Sequence, residues 1–179
     1  MNKIMKKIKK YFIKHTYKDG TKCDCDFIKR MYYYPGVIFK ETPYIDGKQN
    51  GLEKEYSKSG KLYIETPIVN DEINGIEKHY YESGAISQET PYIDGERHGI
   101  EKHYYKSGAL IREIPYLNDE INGIEKHYYE SGVMECETPF VNDEINGIIK
   151  EYYESGKLAG KLAGTAKFKN DKLINYKRI

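Results

Sequence analysis

The sequence predicts an all-β fold, a single-layer, curved, antiparallel β-meander of tandem 24-residue β-hairpin repeats. Three registers point to it. Glycines at Gly51, Gly75, Gly99, Gly123 and Gly147 recur every 24 residues, as do Gly60, Gly84, Gly108, Gly132 and Gly156, and the prolines Pro43, Pro67, Pro91, Pro115 and Pro139. A fixed period in this range marks a repeat array, in which each unit packs mainly on its neighbours. Arrays of this kind present long surfaces and seldom enclose a catalytic pocket.

The elements follow in order. Residues 1–20 form a basic segment set apart from the repeat array at 21–179. Met1 to Lys14 carries six lysines, while Ile4, Met5, Ile8 and Phe12 fall on one face of a helix. It lacks the apolar run of a signal peptide and is too short and charged to cross a bilayer. It reads as a polar cap on the first repeat, and contact with anionic lipid or a partner is the alternative. Tyr32 to Pro43 then matches a hairpin, with Pro35-Gly36 where later units have Ser-Gly.

One full period runs from Gly75 to His98. Ile76 to Tyr81 is short and rich in β-branched and aromatic residues, and Glu82-Ser83-Gly84 closes it with a turn in which glycine accepts a positive φ. Ala85 to Glu89 reads as a second strand that Thr90-Pro91 should end, because proline cannot donate to a ladder. Asp94-Gly95 is a second turn. Segments of about 6–8 residues suit strands and are too short for stable helices. Roughly 11–13 such strands would give a ribbon roughly 50–60 Å long. At the far end Lys157-Leu158-Ala159-Gly160 is followed at once by Lys161-Leu162-Ala163-Gly164, a four-residue insertion before a last strand pair ending near Tyr176.

Alternation assigns the faces. Ile76, Lys78 and Tyr80 share one face, which should carry a narrow apolar stripe, and Glu77, His79 and Tyr81 share the other. Neither set is wholly hydrophobic, as expected of a thin sheet wet on both sides. Asn70–Gly84 and Asn118–Gly132 are identical at 15 positions, two repeats apart, so the array grew partly by copying pairs with alternating Asp-Gly and Asn-Asp turns.

Composition narrows the function. The chain has 39% apolar and 32% charged residues, 19 Tyr, 5 Phe and no Trp. Tyrosine-dominated aromatics suit half-exposed surfaces. A net charge of +1 gives no electrostatic ground for a nucleic-acid partner. The three cysteines, Cys23, Cys25 and Cys136, cannot all pair within one chain, which fits a reducing cytoplasm. Cys23 and Cys25 form a bare C-x-C without a second ligand pair.

The unit G-x-x-K-x-Y-Y-x-S-G-x-(L/I)-x-x-E-T-P-Y-x-x-G resembles the bacterial variant of the MORN (membrane occupation and recognition nexus) repeat over about Phe27 to Tyr176. It is similar in particular to small MORN-repeat proteins described as antitoxins of toxin–antitoxin systems. The resemblance implies strings of β-hairpins in a curved open sheet that serve as protein-interaction scaffolds, with lipid contact for some members. Where other members place tryptophan in the first strand, this chain has Glu77, Glu101, Glu125 and Ile149.

No site for chemistry emerges. His79, His103 and His127 occupy one position in consecutive units, so neighbouring rings should sit roughly 10 Å apart. That is too far to share a zinc ion, which needs ligand nitrogens at ~2.0–2.1 Å. Glu65, Glu89, Glu113 and Glu137 repeat with the scaffold and should meet lysines across strands. No catalytic grouping or cofactor motif is present, so the expectation is a non-enzyme without metal or cofactor. The candidate binding surface is the tyrosine pairs Tyr80-Tyr81, Tyr104-Tyr105, Tyr128-Tyr129 and Tyr152-Tyr153, because tyrosine buries much area at little entropic cost. The expected partner is a protein, with a toxin the class the resemblance implies; the rival is a peripheral membrane protein held by Met1–Lys14. Bare ribbon edges would also allow self-association.

Overall fold

The computed structural model describes residues 26–179. The expectations for Met1–Lys14, for a boundary at residue 20 and for Cys23 and Cys25 lie outside the described residues. The rest is one antiparallel sheet of eighteen strands, with no α-helix among the described residues. Each strand bonds its neighbours in chain order, from Phe27–Tyr32 against Ile38–Ile45 to Leu162–Lys169 against Lys172–Arg178. The first and last strands do not pair, so the sheet is open. The all-β hairpin meander is thus the fold.

Each unit repeats three segments: a six-residue strand (Gly75–Tyr80), an eight-residue strand (Ile86–Ile93) and a two-residue strand (Glu96–Arg97) that leads into the next unit. The first turn is a three-residue loop. The Tyr81 N–H donates to the Ala85 carbonyl at 2.9 Å and the Gly84 N–H to the Tyr81 carbonyl at 2.8 Å, with Gly84 at φ +88°. A side chain would be strained there, which is why Gly60, Gly108 and Gly132 hold the same place. In the fifth unit the insertion takes up a 3-10 turn at Gly156–Leu158, and Gly160 inherits the closing bond, its N–H 2.8 Å from the Tyr153 carbonyl.

The second turn has two residues, both at positive φ, which matches strand twist. Asp94 and Gly95 sit at +49° and +85°, and Asn70 and Asp71 at +53° and +74°. The alternation between turns has a physical consequence. In the Asn-Asp form the aspartate accepts a backbone N–H from the preceding unit: Gln49 on Asp71 at 2.7 Å, Arg97 on Asp119 at 3.0 Å, Ile121 on Asp143 at 2.7 Å. Gly95 has no carboxylate, and only its own N–H reaches back, to the Ile73 carbonyl at 2.9 Å.

One expectation is corrected. Thr90-Pro91 does not end the second strand, which continues to Ile93. Pro91 pairs with Ile76 on one side and leaves its missing donor on the other, where the ladder is interrupted. There Ile93 faces Glu96 while Glu89 faces Lys102, so four steps along one strand oppose six along the next. The excess is absorbed at His98–Gly99, with Gly99 at φ +112° and the position of a Cβ only 3.1 Å from Pro91 Cγ. The 24-residue registers of glycine and proline are therefore one contact, made once per unit.

The two faces differ in crowding. Thr90 is 1% exposed and Glu101 6%, whereas Ile76 and Ile100 on the opposite face are 51% exposed. Only two apolar residues, Ile68 and Ile114, are buried among the described residues, so the densest part of the protein is largely polar. Its recurring element is a threonine that donates to a glutamate of the next unit: Thr42 to Glu53 at 2.7 Å, Thr66 to Glu77 at 2.8 Å, Thr90 to Glu101 at 3.0 Å. The other carboxylate oxygen meets a histidine two residues on, at 2.9 Å for His79, 2.6 Å for His103 and 2.8 Å for His127. The histidines are thus ladder partners of glutamates. No buried side-chain polar atom among the described residues lacks a partner, which is what makes such a core tolerable.

These bonds hold the carboxylates in their charged form. The His79 bond, working against burial, lowers Glu77 below its usual range; at Glu101 burial pushes upward, but the bonds from His103 and Thr90 prevail and the net shift is downward. Folded values below unfolded ones mean that their stabilisation is complete above the unfolded value near 4.3 and is lost as pH falls through the folded values. Melting scans should therefore show a steep acid limb below about pH 4. Glu101→Gln should make that limb shallower while costing about 1.5–3 kcal/mol at pH 7; an unaltered limb would remove the network from the account.

The proline contact makes a second prediction. Gly99→Ala adds a clash with Pro91 to an unfavourable φ, whereas Gly84→Ala meets nothing within 4 Å and bears the backbone cost alone. In urea titrations Gly84→Ala should lose about 1 kcal/mol and Gly99→Ala more. Pro91→Ala should recover part of the loss only in the Gly99→Ala background, and simple additivity would show that the two residues are not coupled.

Candidate functional site

The less crowded face carries the surface best suited to binding. Ile76 lies opposite Pro91, and Ile93 follows two residues along, so all three share that face. Every central unit repeats the set: Leu52, Pro67, Val69; Ile100, Pro115, Leu117; Ile124, Pro139, Val141. The aliphatic members are 43–51% exposed throughout. The result is an unbroken row of aliphatic groups running across the strands, where soluble surfaces usually scatter them singly. The face expected to hold an apolar stripe does hold one, and it is turned to solvent.

Beside this row stand the first tyrosines of each pair. Their hydroxyls donate to glutamates of the preceding unit: Tyr80 to Glu65 at 2.6 Å, Tyr104 to Glu89 at 2.8 Å, Tyr128 to Glu113 at 2.9 Å, Tyr152 to Glu137 at 2.9 Å. Burial, reinforced by these carboxylates, pushes the Tyr80, Tyr104 and Tyr128 hydroxyls up to about 12. The glutamates also meet lysines, as at Lys150 and Glu137 (3.0 Å) and Lys78 and Glu89 (3.7 Å). The second tyrosines tie consecutive units by donating to backbone carbonyls: Tyr81 to Tyr104, Tyr105 to Tyr128 at 3.2 Å, Tyr129 to Tyr152 at 3.3 Å, and Tyr153 to Ile179 at 3.3 Å. All eight rings are half-buried. Their hydroxyls serve the scaffold, and only their ring edges remain for a partner.

Two further surface features escaped the sequence reading. On the crowded face the residue after each proline forms a column, Tyr44, Ile68, Tyr92, Tyr116 and Phe140; Phe27 stacks on Tyr44 with centroids 4.7 Å apart, and the Arg97 guanidinium lies 4.0 Å above the Tyr116 ring. The recurring Pro-aromatic dipeptide was its signal. Near the last units Tyr129, Cys136, Glu151 and Tyr153 line a shallow open depression. Cys136 is half-buried, and burial pushes its thiol up, away from the reactive thiolate. Among the described residues no three His, Cys, Asp or Glu side chains lie close enough to hold a metal ion. No helix among them is long and apolar enough to cross a membrane.

Comparison with curated proteins finds no match. Against protein families, the model for the MORN repeat variant matches five successive segments, residues 49–70, 73–94, 97–118, 121–142 and 145–170. Each begins at the second residue of a two-residue strand and ends at the first residue of the following two-residue turn, so the family unit has the same period as the structural unit. The family is one of non-catalytic repeat scaffolds for protein or membrane interactions. The matched segments cover more than half of the chain, which belongs to the MORN repeat variant family.

Proposed function

We propose that this chain is a non-enzymatic scaffold that binds another protein, in the cytoplasm, through the exposed aliphatic row and the tyrosine edges beside it. The single observation that carries this reading is the row itself, eleven residues from Ile28 to Ile148 that are each at least 42% exposed on one face. Exposed apolar groups in a continuous line are stabilised by a partner that covers them. A toxin is the partner class for an antitoxin-like member of the family. Recurrence of the same side chains in every unit supports binding over catalysis, since a reaction needs a unique convergence of groups. The rival, a peripheral membrane protein held by Met1–Lys14, depends on the lysine-rich segment and not on the sheet. The outer edges of Phe27–Tyr32 and Lys172–Arg178, each paired with one strand among the described residues, support self-association as an additional property.

Affinity capture from the native cell with the intact chain, read by mass spectrometry, should recover a specific protein. Ile100→Ser with Ile124→Ser should abolish that capture while leaving the melting temperature within about 2–4 °C, because both side chains are half in water already. Retention of the same partner by the double variant would contradict the assignment of the surface. Removal of Met1–Lys14 should leave capture intact, whereas its loss together with vesicle flotation would favour the membrane rival.

A further inference from the structure

The aliphatic row changes character in its last unit. Ile124 lies opposite Pro139 and Val141 opposite Glu144, whereas Ile148 lies opposite Lys167 and Lys169 opposite Lys172. Thr165 stands opposite Lys150, where Glu137 stands opposite Lys126 one unit earlier. A proline, a valine and two glutamates thus give way to lysine or threonine, and every change makes the same face more positive. Lys177 joins this group. It faces Thr165 as Lys150 faces Glu137, so it lacks the carboxylate that lies 3.0 Å from the Lys150 ammonium.

Among the described residues nothing neutralises Lys167, Lys169, Lys172 and Lys177. All are exposed, and none has a hydrogen bond or ion pair with a described residue. Asp171 is the only acidic residue from Ser155 to Ile179, and its carboxylate accepts the Ile145 N–H at 2.7 Å. Lys169 and Lys172 are a direct cross-strand pair of like charge, an arrangement that costs stability until an anion relieves it. The strand Leu162–Lys169 places Gly164, Ala166 and Phe168 on its other side, so its lysines are confined to the face that carries the row.

Repetition gives a charged end a task. Ile76, Ile100, Ile124 and Ile148 are the same residue at the same place in successive units. A partner held by the row alone could slide by one unit, about 9.6 Å, and meet nearly the same surface. Complementary charge at one end removes that freedom, because it favours a single register. The other end offers no equivalent: Ile28, Pro43 and Ile45 keep the row aliphatic there, and Arg30 is bound to Glu41 at 2.6 Å.

We propose that Lys167, Lys169, Lys172 and Lys177 seat an acidic segment of the protein that covers the row, and that this contact fixes the partner's register and direction along the array. The lysines span about 13 Å along the strands, which suits a short run of Asp or Glu carboxylates. A protein segment fits better than an anionic membrane. Glu72, Glu96, Glu120 and Glu144 are exposed on the same face, each beside an aliphatic residue of the row. A flat anionic surface would press against all of them, whereas a discrete acidic segment meets only the lysine end. This inference rests on the row as the partner surface and adds the partner's chemistry.

Selection of displayed random peptides on the immobilised intact chain tests it. Peptides of about 12 residues reach ~40 Å when extended, enough to run from Ile124 to Lys177. The wild-type chain should enrich peptides that join apolar residues to a cluster of Asp and Glu. By fluorescence anisotropy at low salt, Lys169→Gln/Lys172→Gln should weaken the enriched peptide about tenfold, and Lys48→Gln at the far end should leave it unchanged. Raising salt to about 1 M, where the Debye length is ~3 Å, should erase most of that difference. No enrichment, enrichment without acidic residues, or an affinity indifferent to Lys169 and Lys172 would overturn the proposal. So would flotation with phosphatidylserine vesicles that these lysines control while no acidic peptide is enriched, which would make a lipid surface the ligand. Ile124→Ser/Ile148→Ser separates the two readings. Dependence on the isoleucines alone leaves the row and removes the lysine seat, whereas dependence on the lysines alone keeps the seat and removes the row.

Discussion

A proline ring lying against a glycine, once in every 24 residues, sets the form of this molecule. Pro67 Cγ approaches to within 3.0 Å of where a Cβ on Gly75 would stand, and the same pair recurs along the array. The proline removes one donor from the ladder, and the glycine takes a φ that other residues avoid. Together they let two residues more on one strand than on its neighbour be absorbed without exposing an unpaired strand. The repeated slip distinguishes the two faces, crowding one with threonine, glutamate and histidine and spreading aliphatic groups across the other. Both the internal network and the external surface follow from that contact.

A thin sheet has no interior in the usual sense, and this chain stabilises itself by bonding polar groups in series. Thr66, Glu77 and His79 form one link, and Thr90, Glu101 and His103 form the next. Where Ile114 replaces the threonine it is 4% exposed, so an apolar group fills the slot when no hydroxyl is there. The tyrosines extend the same logic to the other flank, donating either to a glutamate of the unit before or to a carbonyl of the unit after. Such links join each unit to its neighbours and leave the aliphatic row about half exposed, with the prolines beneath it as cross-strand neighbours. A surface left over from construction in this way is available for recognition.

Much of the fold could be read from the residues because each turn carries its own signal. Gly84 and Asp94-Gly95 demand positive φ, and the alternation of Ile76, Lys78 and Tyr80 set the faces correctly. The role of Pro91 could not be read this way: proline forbids a donor but does not say on which side the missing bond falls, and here that side was a break already present. Burial was equally opaque. Glu101 looks like a solvent residue by type, and only the approach of Thr90 and His103 makes it a core one. The tyrosine pairs were legible as two columns, one to each face, but their hydroxyl partners lie 15, 23 or 26 residues away and depend on register.

Excision of one period tests the central claim, that equivalent modules are laid edge to edge in one open sheet. Removal of Gly75–His98 joins Asn74 to Gly99, two residues that already stand in the same relation one unit apart. The account predicts a folded protein with unchanged strand signatures in circular dichroism, a particle about 10 Å shorter by small-angle scattering, and stability reduced by about one unit's share. An unfolded product, or a particle of unaltered length, would contradict it.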